Sequence, residues 1–215
     1  MGGLDKLFVP LAGKPLLLHT LMALEACPSI ERIVVALAEE NLEAGRELAA
    51  GLSKVVALCK GSERRQDSVA AGLRALGPCR WVVVHDGARP LVAPEIVKRG
   101  LSAARETGAA AAAVPVSDTI KQVGADAAVR RTVRRDGLWA VQTPQVFRYD
   151  LLLRAHEAAL GGPEATDDAA LVERLGHPVK IFLGSRRNIK VTTPEDLALA
   201  EALLTASPPP SLSGA

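Results

Sequence analysis

Cysteine is scarce and carries no pattern in this sequence. Cys27, Cys59 and Cys79 stand far apart with no CxxC among them, which argues against a zinc site or a disulfide framework and for a reducing, cytoplasmic compartment. No sign of charge prevails either. The 26 Lys and Arg are matched by 24 Asp and Glu, so the one-sided basic balance of a nucleic-acid binder is missing and no nucleic-acid partner is expected. No apolar run approaches the roughly 20 residues needed to cross a bilayer, and the opening MGGLDKLFVP lacks the order of a signal peptide, so no membrane partner is expected. His19, His156 and His177 show no metal-ligand spacing and His85 reads as a structural histidine at a strand end, which leaves the expected set of metal ligands empty. The glycine-rich anion loops GxxxxGK[ST] and GxGxxG are both absent. Aromatics amount to 3% against an excess of Ala, Leu, Val and Arg, a composition suited to small-residue packing of helices on a sheet.

What is present is organised around WVVVHDGARP at 81–90. A run of bulky apolar residues stops at an acid, a flexible glycine and an arginine. Continuous rather than alternating hydrophobicity implies a strand covered on both faces, as in a parallel sheet flanked by helices, and such sheets bind ligands beyond the carboxyl ends of their strands. Asp86 and Arg89 therefore stand where chemistry is expected. A plain strand-to-helix turn capped by Asp86 explains the same ten letters, and both readings stay open on this stretch alone.

The rest of the chain alternates. Strands are expected at 33–37, 55–58, 109–116 and 179–183. Helices are expected through HTLMALEA, over 42–50, from Gly61-Ser62 onward with Val69, Leu73 and Leu76 on one face, over 94–104, 149–160 and 167–175, and over 194–204 after a Thr193 cap. This order implies an α/β fold with a largely parallel sheet. The rhythm breaks at 118–134, where two alternating polar strands around Gly124-Ala125-Asp126 read as a long antiparallel ribbon, a β-arm of about 117–137 with little core of its own. Gln142-Thr143-Pro144-Gln145 reads as a polar turn. Residues 1–205 are expected to form one domain and 206–215, ending SPPPSLSGA, a disordered tail.

Cations and hydroxyls concentrate at loops and element ends: Lys6, Gly61 to Ser68, Asp86 to Arg89, Thr119 and Lys121, Arg134-Arg135, Thr143 and Lys190. That set suits phosphates. Nucleotidyl transfer needs charge neutralised around phosphorus and little covalent work from the protein, so converging lysines and arginines are the expected equipment.

The pieces DKLFVPLAGKPLL, GSERRQDSVAAGL, VVVHDGARP, AVPVSDTIK, TVRRDGLWAVQTPQ, EATDDAALVE and NIKVTTPEDLALAE, in this order over nearly the whole chain, resemble the 2-C-methyl-D-erythritol 4-phosphate cytidylyltransferases of the non-mevalonate isoprenoid pathway. The resemblance implies a Rossmann-like α/β sheet with a protruding β-arm that embraces a second subunit. It implies a reaction of CTP with methylerythritol phosphate, with Mg²⁺ held mainly by the CTP phosphates. Carried over residue by residue, it implies catalytic roles for Lys6, Arg135 and Lys190, with Lys6 neutralising the triphosphate and Arg135 and Lys190 positioning the attacking phosphate. Gly61 and Ser68 match the positions that hold the cytosine ring. Asp86 and Arg89 match an HDAARP-type motif, with Gly87 in place of the more usual alanine, while Thr119, Arg135, Thr143 and Thr166 match the residues that hold methylerythritol phosphate.

One departure stands out. The family begins with a hydrophobic strand and an AAGxGxRMG phosphate loop, whereas this sequence opens at the MGG that would close that loop. The expectation is a chain without the family's first strand. Two alternatives to the synthase reading stay open: a truncated, non-catalytic dimeric form, and a cytidylyltransferase for another polyol phosphate.

Overall fold

The computed structural model describes residues 6–206. A one-turn 3-10 helix, Lys6–Phe8, leads into a small hairpin of β1 (Pro10–Leu11) and β2 (Lys14–Pro15). There follow α1 (Leu16–Glu25), β3 (Ile33–Leu37), α2 (Leu42–Ala49), β4 (Val55–Lys60), α3 (Arg65–Leu76), β5 (Trp81–Val84), α4 (Pro94–Thr107) and β6 (Ala109–Pro115). The second half contains β7 (Ile120–Val123), β8 (Val129–Val133), β9 (Trp139–Arg148), α5 (Tyr149–Ala158), α6 (Asp168–Arg174), β10 (Lys180–Leu183) and α7 (Pro194–Thr205). The expected tail at 207–215 lies outside the described residues.

The main sheet has the order β10-β6-β9-β5. β6 and β10 are parallel, while β9 runs antiparallel to both β6 and β5. Three strands of this sheet thus point one way and β9 alone reverses. β6 explains how helices cover both faces. Its five alanines, 109–113, are wholly buried and alternate in direction as a strand requires. Ala109 and Ala111 face α5 and α6 through Leu151, Leu152, Leu171 and Val172, and Ala110 and Ala112 face α4 through Ile96 and Ala104. Small side chains let both helical layers approach closely. Gly100 in α4 extends this economy, since a Cβ there would stand 2.7 Å from Val146 Cγ2 and 2.8 Å from Phe182 Cζ. Gly108, at φ 86°, ends the helix in the left-handed conformation that favours glycine, its N–H returning to Ala104 O at 2.7 Å.

The segment 142–145 is strand, not turn. Gln142, Thr143 and Gln145 are buried, and the pairing slips between Ala111, opposite Gln145, and Ala113, opposite Val141. This bulge leaves the intervening backbone off the ladder and re-aims its side chains, a device found beside active sites. Polar letters with a proline read locally as a turn; here partners far along the chain satisfy them.

β3 and β4 form a separate parallel pair. Among the described residues no strand joins β3 to β5. Between them lies a cavity of about 560 Å³ bounded by residues of β3, β5, α1 and α3, including Leu17, Leu21, Val35, Leu37, Val69 and Val83. The ribbon reading holds. β7 and β8 pair antiparallel, Gly124 N–H bonds Ala128 O at 3.0 Å across the turn, and both strands stand almost wholly exposed. The final helix is capped as expected: Thr193 accepts from Asp196 N–H and the Asp196 carboxylate returns to the Thr193 N–H.

Candidate active site

The strand end of β5 gathers an acid and three cations. Asp86 Oδ2 stands 3.1 Å from Lys190 Nζ and 3.3 Å from Arg89 Nε, and Asp86 Oδ1 is 3.6 Å from Arg65 Nε. The Asp86 side chain is 13% exposed. Burial opposes its charge, but the combined attraction of Lys190, Arg65 and Arg89 prevails and holds its pKa below the ordinary aspartate value. A buried carboxylate with one cation is a marginal arrangement, because desolvation offsets much of the attraction. A surplus of cations around it leaves positive charge for an incoming anion.

Beneath this cluster the backbone is fixed by a short relay. Asp86 N–H donates to Thr143 Oγ1 at 3.0 Å, and the Thr143 hydroxyl contacts His85 Nδ1 at 3.1 Å. His85 Nε2 is 3.1 Å from Arg89 O. Since a carbonyl only accepts, the imidazole carries its proton on Nε2 and accepts the Thr143 proton on Nδ1. The ring is half-buried and lines the cavity, and desolvation lowers its pKa to about 4, so it is neutral at pH 7. His85 is thus a structural member of the strand end. Arg89 is itself buried, and its NH1 donates to Asn188 O at 2.7 Å, while Asn188 Nδ2 donates to Thr143 O at 2.7 Å. These bonds tie the segment before α7 to the bulge of β9 and so place Lys190 over Asp86.

Lys6, Ser68, Asp86 and Lys190, expected as site residues on sequence, line one wall system of the 560 Å³ cavity. Ser68 also borders a second, more open concavity of about 700 Å³ formed by 36–40, 60–64 and 67–68, which includes Gly61. The loop there is self-supporting. Ser62 N–H donates to Ser68 Oγ at 2.9 Å, Gly61 N–H donates to Leu37 O at 2.7 Å, and a Cβ at Gly61 would stand 3.0 Å from Ser68 Oγ. The two concavities share Ala36, Leu37 and Ser68 in their linings.

Thr143 lies under the site with its hydroxyl engaged. Thr166 is exposed on the loop between α5 and α6. Thr119 and Arg135 stand at the base of the arm, both exposed, with the Arg135 guanidinium bonded to Ser117 O; within one chain neither is among the ion-pair partners of Asp86. Three residues that local reading missed are Arg65, Gln66 and Asp168. Arg65 NH1 bonds Asp168 Oδ2 at 2.7 Å, and Gln66 Oε1 accepts from Ala165 N–H at 2.9 Å. Their signal lies in doublets. In Arg64-Arg65, Arg64 pairs with Asp67 one turn on, which turns Arg65 inward. In Asp167-Asp168, Asp167 caps α6 through Ala170 N–H, which leaves Asp168 facing the core.

What such an arrangement can do is hold a polyanion. The Asp86 carboxylate, fixed by backbone and cations and paired with Lys190, borders the same cavity as Lys6, with no group of three or more acids, histidines or cysteines placed to form a metal cage among the described residues.

Comparison with known proteins is consistent across sequence and structure. Residues 1–206 match the family described as 2-C-methyl-D-erythritol 4-phosphate cytidylyltransferase. A protein of that name from Dehalococcoides mccartyi strain 195 is 51% identical over 206 residues, covering 95% of this chain and 90% of the relative. Another of that name from Pelotomaculum thermopropionicum is 50% identical over 208 residues, covering 94% and 87%. Among solved structures, that of 2-C-methyl-D-erythritol 4-phosphate cytidylyltransferase from Thermus thermophilus is similar with a TM-score of 0.81 at 40% identity, covering 94% of each chain.

Proposed function

The chain belongs to the 2-C-methyl-D-erythritol 4-phosphate cytidylyltransferases, and from that premise we propose how its own residues divide the work. The enzyme is a nucleotidyltransferase of isoprenoid precursor biosynthesis that joins CTP and 2-C-methyl-D-erythritol 4-phosphate into 4-diphosphocytidyl-2-C-methyl-D-erythritol and pyrophosphate. An oxygen of the substrate phosphate attacks the α-phosphorus of CTP in line. A new P–O bond forms as the bond to the bridging oxygen breaks, and pyrophosphate leaves with that electron pair.

Gly61 and Ser68 receive the cytosine ring in the outer concavity, and the triphosphate runs past Ser68 toward Lys6. Lys190, held against Asp86 at 3.1 Å, neutralises the attacking phosphate as the phosphorus gains charge. That Lys190 lines the same cavity as Lys6 is the observation that carries this reading. Arg89 and Thr143 support Asp86 from below. Thr166 and, from the arm, Thr119 and Arg135 hold the polyol phosphate. Mg²⁺ fits this donor set as an ion carried by the CTP phosphates, because Asp86 offers a carboxylate beside Lys190 and magnesium characteristically takes one or two carboxylates plus substrate phosphates. When bound it screens phosphate charge.

The arm supports a homodimer. Ile120, Val123 and Val129, with Trp139 and Val141 at its root, are large apolar residues left exposed, and a ribbon of two strands is marginal without something to pack on. Pairing through the arm would bring Thr119 and Arg135 of one protomer toward the Asp86 cluster of the other. Among the described residues no helix is long and apolar enough to cross a membrane, and three unbridged thiols support a cytoplasmic setting.

The test is pyrophosphate release with Mg²⁺ and CTP, measured with and without methylerythritol phosphate. Release that requires both substrates is the expected result. Release at the same rate without the polyol phosphate, or none with both, overturns the reading.

A further inference from the structure

Arg65 is shared by two acids of unequal claim. Its NH1 bonds Asp168 Oδ2 at 2.7 Å, a full hydrogen bond, whereas its Nε stays 3.6 Å from Asp86 Oδ1, an ion pair without one. Asp168 is wholly buried and its other oxygen is 3.0 Å from Nε2 of His156, itself buried in α5. A carboxylate so enclosed, with each oxygen occupied, has one arrangement available to it. Arg65 is 30% exposed and lines the cavity together with Lys6, Asp86 and Lys190. The tether therefore runs from a buried histidine, through a buried acid, to a cation at the edge of the reaction space.

The same neighbourhood fixes the loop that bears Thr166. Gln66 accepts from Ala165 N–H at 2.9 Å, and Arg64 NH1 donates to Gly162 O at 3.2 Å. On the other side Gln145 donates to Asp167 Oδ2 at 2.8 Å and accepts from Ala169 N–H at 3.1 Å. Thr166 is exposed between two anchored neighbours. The first turn of α3, which leads to Ser68, and the α5–α6 loop are thereby joined at Arg64, Arg65 and Gln66.

We propose that Arg65 and Asp168 form a positioning pair for the transfer: Asp168 holds Arg65 back from Asp86, so that Asp86 keeps Oδ2 for Lys190 and Arg89, and the pair locks the Thr166 loop to the helix that borders the nucleotide. The unequal distances give the reason. An arginine beside a carboxylate favours the bidentate fork. Released from Asp168, Arg65 closes on Asp86, satisfies both oxygens and displaces Lys190 from its counter-ion. A misplacement of about 1 Å at such a centre costs roughly 100-fold in rate.

This rests on the reading of Lys190 as the lysine at the attacking phosphate, and the experiment separates the two. Asp168→Asn keeps the shape and removes the charge. The expected result is a fall in kcat of roughly 10- to 100-fold with KM for CTP changed by less than about threefold, and no further fall when Arg65→Gln is added to Asp168→Asn. Independent, multiplicative losses for the two substitutions, or an unchanged kcat in Asp168→Asn, would overturn the pair. If Asp168→Asn does not fold, Arg65→Lys decides by the same split, because a lysine cannot span two acids with separate nitrogens. An anchored guanidinium also has a signature that needs no turnover: the Arg65 NH1 protons, which bond Asp168 Oδ2, exchange slowly in a ¹⁵N spectrum of the unmodified protein, and that resonance is lost in Asp168→Asn. An unmodified protein without transferase activity but with that resonance removes the proposed function and leaves the tether; a resonance unaffected by Asp168→Asn removes the tether.

Discussion

Lys190 Nζ lies 3.1 Å from Asp86 Oδ2, so a lysine from the segment before the last helix is seated on the acid that ends β5. The lysine is 40% exposed while the acid keeps two further cations, Arg65 and Arg89. Position and protection are thus separable: the acid stays neutralised without Lys190, and the lysine head remains available to an anion.

Lys190→Ala should therefore uncouple activity from folding. Turnover should fall by roughly 100-fold or more, the scale for removing a charge-stabilising group, while stability changes by about 1 kcal/mol or less, as for a partly exposed ion pair. Steady-state pyrophosphate assays beside urea unfolding check both halves. Retained turnover would remove Lys190 from the mechanism.

Acid should weaken the fold through His85. Its pKa is lowered to about 4 in the folded protein against 6.5 when unfolded, so between those values the unfolded chain binds the extra proton and stability falls as pH falls. The contribution is fully present above pH 6.5 and is lost progressively down to about pH 4. Going from pH 7 to pH 5 it amounts to about 2 kcal/mol. Urea midpoints at those two pH values, compared between the unmodified protein and His85→Gln, isolate it; an identical pH slope in both would show that His85 does not titrate this way. Asp86 acts in a lower window. Its depressed pKa gives stability that is present above the ordinary aspartate value near 4 and disappears as pH falls through the folded value.

Two glycines inside helices should respond oppositely to alanine. At Gly100 the new methyl meets Val146 and Phe182 at 2.7 and 2.8 Å, an overpacking cost of about 1–3 kcal/mol that exceeds the gain of roughly 1 kcal/mol in helix propensity. At Gly72 nothing lies within 4 Å, so only the propensity gain remains. Thermal or urea unfolding of Gly100→Ala and Gly72→Ala should bracket the unmodified protein, the first less stable and the second more. A stabilised Gly100→Ala would show that α4 can lift from the sheet at little cost.

The sequence carried the α/β order because local chemistry declares it. WVVV, the alanine run of β6 and the Thr193-Pro194-Glu195-Asp196 cap each form what their letters favour. The ribbon was legible for the same reason, alternation with a glycine turn. β9 was not. Gln142 meets Ser185 and Asn188, and Gln145 meets Asp167 and Ala169, so the partners that make a polar stretch into a buried strand lie outside any local window. The candidate site divides likewise. Asp86 and Lys190 were marked by their motifs, and the structure brings them together. Arg65 and Asp168 each sit beside a residue of the same type, and only helix phase, together with the local pairs made by Arg64 and Asp167, determines which of each doublet turns inward.

The cavity between β3 and β5 also sets how the molecule breathes. No ladder of backbone hydrogen bonds crosses it among the described residues; the β3–β4 pair is held to the rest by side-chain packing, notably of α1 and α3. Packing without a ladder lets one unit open while the other stays closed. Amide protons of β6 and β9, inside the four-stranded sheet, should exchange with deuterium only on global unfolding, whereas those of β3 and β4 should exchange earlier and together. Ser68, on the wall between the two concavities, stands where that looser half meets the rigid one.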